Sequence, residues 1–143
     1  MNRLTWLLGV AVASVLCLQV SLAVAAEKQP VVAVAGPTII AFFPVTKTKS
    51  QKDADTNEAL ADFQLYAKKV REPLKETGIE FQEVYAQSFR VCIGQEGTVF
   101  RPAKGNVGYY LIVPGKKPRI EYGVMTNTDL VQVANEYFGS SAK

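Results

Sequence analysis

The sequence predicts a single α/β domain, with a central mixed sheet that carries a βαβ unit followed by a β-hairpin and a C-terminal helix. Three observations lead there. Residues 38–45 (TIIAFFPV) form an apolar run rich in β-branched and aromatic side chains, without the alternation of a half-exposed strand. From Thr56 the apolar residues switch to helical spacing. In the last third, GYYLIV and RIEYGV flank Pro114-Gly115 and precede a second helical stripe.

Residues 1–26 precede this domain and have the layout of a secretory signal: Arg3, an uncharged apolar run from Leu4 to Val24, and small residues before Glu27. Cleavage is expected after Ala25 or Ala26. An uncleaved anchor is the alternative, since the run approaches the ~20 residues that span a bilayer. Cys17 does not fit a lipid-modified cysteine, because Leu16 stands where that signal needs a small residue. The expected location is therefore exported, periplasmic or secreted, with no membrane span once the leader is removed.

Of 143 residues, those after the leader suffice for one domain, residues 27–143, with one core. Sixteen Lys+Arg against 13 Asp+Glu leave a small positive excess. No concentrated basic stripe of the kind that binds nucleic acid accompanies it. Beyond the leader only Cys92 remains, so an internal disulfide is excluded and stability must come from apolar burial. No Asn-x-Ser/Thr acceptor occurs.

Along the domain, residues 31–35 read as a short strand ended by Gly36-Pro37, and residues 38–45 as the central strand. Residues 46–55 (TKTKSQKDAD) are polar and read as an exposed loop. Ala59, Leu60, Phe63, Ala67, Val70 and Leu74 then draw one stripe along a helix that Pro73 could kink and Gly78 could end in the left-handed conformation. Residues 79–86 (IEFQEVYA) alternate as a strand, with Val84 out of register with Ile79 and Phe81. Residues 87–106 are expected to be short strand pieces or an irregular helical turn. Residues 108–113 and 119–124 make the hairpin, with Ile120 and Tyr122 on one face. Thr126 caps the final helix with Asp129, and Leu130, Val133, Ala134 and Tyr137 form its stripe up to Gly139; residues 140–143 are expected to fray.

This order of elements resembles the thioredoxin-like superfamily. The stretch YYLIVPGKKPRIEYGVMTNTDLVQVANEYF is similar to the family's closing hairpin, its following glycine and its final amphipathic helix. TIIAFFPV resembles the central strand that leads into the family's active-site loop. The Cys-x-x-Cys that redox-active members place at that junction is missing, because Thr46, Lys47, Thr48, Lys49 and Ser50 stand there. The proline that the family sets before the hairpin is also missing; Val107 and Gly108 occupy its place. The resemblance thus implies a redox-inactive member that binds a protein or a small ligand. Its partner-binding candidates are Thr46, Lys47, Thr48, Lys49, Ser50, Val107 and Gly108.

The chemistry available is narrow. Without any histidine, Ser-His-Asp, Cys-His and His-based zinc sites are excluded, and no cofactor or metal is expected. Asp53, Asp55 and Glu58 fit no calcium loop and read as solvated residues. The glycines at 94, 97, 105 and 108 are too dispersed for a phosphate cradle. Lys47, Lys49 and Lys52, or Lys104, Lys116, Lys117 and Arg119, read as ordinary surface charge. Cys92, between Val91 and Ile93, reads first as a small buried hydrophobe. Two functional alternatives stay open: a single-cysteine thiol-redox protein using Cys92, with Arg90 favouring the thiolate, or a secreted inhibitor or immunity-type protein.

Overall fold

The computed structural model describes residues 29–45 and 53–139; the expected leader, most of the polar loop and residues 140–143 lie outside them. The elements run β1 (Val31–Val34), β2 (Thr38–Phe43), α1 (Ala54–Glu76), β3 (Glu80–Tyr85), β4 (Phe89–Ile93) and β5 (Glu96–Phe100). A 3-10 turn (Ala103–Gly105), β6 (Gly108–Ile112), β7 (Arg119–Tyr122) and α2 (Asn127–Gly139) follow. They form an α/β fold with two sheets, ordered β3-β2-β6-β7 and β1-β4-β5.

The expected βαβ unit is present: β2 and β3 pair in parallel across α1. All six residues of β2 are buried because both faces are covered. The odd positions, Ile39, Ala41 and Phe43, meet Leu60, Phe63, Val70 and Leu74 of α1 and Leu130, Ala134, Tyr137 and Phe138 of α2. The even positions, Ile40 and Phe42, meet Val32, Val34, Phe89 and Val91 of the small sheet. This accounts for the shifted pattern in β3, whose Phe81 and Tyr85 pack toward the helices while Val84 packs against the small sheet.

α1 begins at Ala54, two residues before Thr56, so Asp55 lies inside the helix rather than in the expected loop, while Asp53 is the exposed residue just before it. The Thr56 N–H donates to Asp53 Oδ1 at 3.2 Å, making Asp53 the N-cap, and Asp55 lies in the first turn. The helix continues through Pro73, and Gly78 follows its end with φ 74°. Hairpin β6–β7 and α2 stand where expected, with Asp129 N–H donating to Thr126 Oγ1 at 3.2 Å.

The three-stranded sheet is the main departure from expectation. β1 pairs in parallel with β4, and β4 in antiparallel with β5, from Phe89↔Phe100 to Ile93↔Glu96. Residues 87–106 are thus a hairpin and a 3-10 turn. Gly94, at φ 60°, occupies the first position of the two-residue loop, where a type II′ turn places glycine.

Candidate functional site

At one end of the two-sheet layer the space is filled by rings. Phe42 lies 5.9 Å from Phe89 and 5.2 Å from Phe100, and Phe100 lies 4.9 Å from Tyr110. Toward the other end the facing residues are shorter, and the sheets leave a cleft of about 280 Å³. Val91, Ile93, Glu96 and Thr98 of the β4–β5 hairpin line one wall; Tyr110 and Ile112 of β6 line the other, with Lys116 and Pro118 from the following turn. Burial raises the Tyr110 phenol above its ordinary pKa, so it stays neutral at physiological pH.

The two charged groups at the cleft differ in their commitments. The Lys116 ammonium donates to the Tyr137 carbonyl at 2.6 Å and sits 4.2 Å from the centre of that ring. It therefore neutralises the C-terminal end of α2 and gives the cleft its stem. Glu96 is exposed and forms no ion pair among the described residues.

Above β7 the small sheet runs out. Cross-strand partners share a face, and the pairs Tyr110↔Ile120 and Gly108↔Tyr122 point Ile120 and Tyr122 toward the small sheet. Among the described residues the larger sheet has four strands and the smaller three, with β5 lying over β6. Ile120 and Tyr122 consequently remain 38% and 42% exposed. The Ala103 N–H donates to the Tyr122 hydroxyl at 3.1 Å, which holds the chain leaving β5 against one end of this strip.

Of the sequence-predicted candidates, Val107 and Gly108 lie at the opposite end of β6 from the cleft. Thr46, Lys47, Thr48, Lys49 and Ser50 lie outside the described residues. Val107 is half-buried, and its carbonyl accepts from the Gly123 N–H at 2.8 Å. Gly108 is buried in the strand pairing: a Cβ there would meet Glu121 O at 2.2 Å and Phe42 Cζ at 2.9 Å. Its part is to let β6, β7 and Phe42 come together, and it offers no side chain to a partner.

Cys92 is half-buried, not fully buried as its apolar neighbours suggested. It alternates with the inward Val91 and faces out of the small sheet, between Ala33 and Gly97. Arg90 shares that face, and both side chains border Gly97. Among the described residues no group of three His, Cys, Asp or Glu is placed to hold a metal, and no helix is long and apolar enough to cross a membrane.

Comparisons of the chain with protein-family models, with curated proteins and with solved structures find no match. The cleft was not anticipated from the sequence, although a cue existed. Phe89, Val91 and Ile93 alternate before Gly94, and Thr98 and Phe100 alternate after it.

Proposed function

We propose that this protein is a redox-inactive binding domain on a thioredoxin-like core, acting on a protein or small ligand in an exported compartment. The cleft carries the binding reading: it is an apolar recess bordered by Glu96, which is the character of ligand sites in general. The parallel β2–α1–β3 unit, with hairpin β6–β7 in the same sheet and α2 after it, supports the thioredoxin-like core. The signal-like layout of residues 1–26 supports export.

Dithiol chemistry needs two neighbouring sulfurs, which the thioredoxin-like resemblance would place at the junction of β2 and α1. No cysteine occurs between Phe43 and Ala54, and Cys92 lies in the other sheet, facing away from β2. A second reading, thiol chemistry at Cys92, draws support from its half-exposure and from Arg90 on the same face.

Turnover of a mixed disulfide between glutathione and a short cysteine-containing peptide separates the two. The binding reading expects the protein and its Cys92→Ser variant to be equally inactive. Catalytic turnover lost in Cys92→Ser would overturn it.

A further inference from the structure

We propose that the free edge of β5 accepts an extended peptide segment of a partner protein. The segment would form a fourth strand of the small sheet, with apolar alternate side chains covering Ile120, Tyr122 and the cleft. This deepens the binding reading above and rests on it.

The two sheets have unequal strand counts. With four strands below and three above among the described residues, the inward side of β7 is covered only at its Tyr122 end, by the chain at Ala103, and it carries two large, partly exposed apolar side chains. A strand added beside β5 would lie over β7, since β5 already lies over β6. Alternate residues of an edge strand direct their N–H and C=O groups outward, so β5 supplies the hydrogen bonds and the strip below supplies the apolar surface.

The four sheet edges are also unequally guarded. β3 carries Glu80 and Glu83, β7 carries Arg119 and Glu121, and β1 has only four residues. Charge and shortness are the usual guards against strand addition. β5 has one charge, Glu96 at its start, followed by Gly97, Thr98, Val99 and Phe100. Because Glu96 has no ionic partner among the described residues, it favours a lysine or arginine at the position beside it.

The occupant is a segment without a sheet of its own. In a second folded copy, edge strands β1 and β5 already commit Val32, Val34 and Phe100 to their own core. They have no inward face left for Ile120 and Tyr122. An extended peptide has both faces free.

The test titrates a capped hexapeptide, Lys-Val-Thr-Val-Thr-Val, into the ¹⁵N-labelled protein and follows amide shifts and amide exchange. Saturable shifts are expected at Glu96, Gly97, Thr98, Val99 and Ile120, with slowed exchange along β5. Ile120→Lys, which places a charge in the strip at an already exposed position, should weaken binding about tenfold or more. The same peptide N-methylated at alternate backbone nitrogens should lose binding to a similar degree, because it cannot complete the ladder.

Equal affinity for the methylated peptide, no saturable shift, or self-association that protects β5 without peptide would overturn the proposal. Shifts centred on Pro44 and Val107 would also overturn it while leaving the binding-domain reading intact. That reading fails separately, through Cys92-dependent turnover.

Discussion

Replacing Gly108 by alanine adds one methyl group where the fold has no room for it. The new Cβ would stand 2.2 Å from Glu121 O, 2.9 Å from Phe42 Cζ and 3.1 Å from Tyr122 Cα. The ring of Phe42 could yield, but Glu121 O and Tyr122 Cα belong to the backbone of the paired strand. Relief requires β7 to move away from β6, which weakens the Gly108↔Tyr122 pairing and the 6.0 Å contact between Phe42 and Tyr122. Overpacking by a methylene costs about 1–3 kcal/mol, and a backbone obstacle puts this case near the upper end, about 3 kcal/mol. Urea unfolding followed by far-ultraviolet circular dichroism measures the loss. Gly97→Ala is the control, because its Cβ meets only the side chains of Arg90 and Cys92, each at 3.1 Å, on an exposed face. It should stay within about 0.5 kcal/mol of the parent. A Gly108→Ala variant as stable as Gly97→Ala would refute the close approach of β6 and β7.

Phe63→Ala should cost about 3–5 kcal/mol in the same assay, since Phe63 is fully buried among Phe43, Tyr85 and Tyr109. Hydrogen bonds from the Thr56 hydroxyl and N–H hold the Asp53 carboxylate below the ordinary aspartate value of 3.8. Its stabilisation of α1 is therefore present above 3.8 and lost as pH falls through the depressed value. Asp53→Asn keeps a capping oxygen and should flatten that part of the acid-unfolding curve. Cys92 should react with a small maleimide in the native protein, and Gly97→Val should slow the reaction by crowding the sulfur. Labelling confined to the denatured protein would remove the thiol reading altogether.

The legible parts of the fold were those governed by local pattern. β2 announced itself by lacking alternation, because helices cover one face and a second sheet the other. The stripe from Leu60 to Leu74 marked α1, and all five of Leu60, Phe63, Ala67, Val70 and Leu74 are buried. The small sheet was obscured because Val91, Cys92 and Ile93 are consecutive apolar residues that face alternately inward and outward, which blurs the period of two. Its closure also depends on a parallel pairing of β1 with β4, between segments some 59 residues apart, as in the Gln29 to Ser88 hydrogen bond. Nothing local encodes that partner. The cleft was hidden for the same reason, since its walls come from two sheets. The sequence marks Val107 and Gly108 only as the place of a missing proline; that Gly108 permits a close strand approach and presents no side chain for recognition is a property of the strand pairing, which no local spacing shows.

The central structural claim is that β5 lies over β6 and that, among the described residues, no strand lies above β7. A nitroxide attached through Ile120→Cys, in a Cys92→Ser background, tests this most directly, because stacked sheets lie about 10 Å apart. Strong paramagnetic broadening is predicted for the amides from Glu96 to Val99, and weak broadening from Val31 to Val34. The reverse pattern, with β1 broadened and β5 spared, would contradict it.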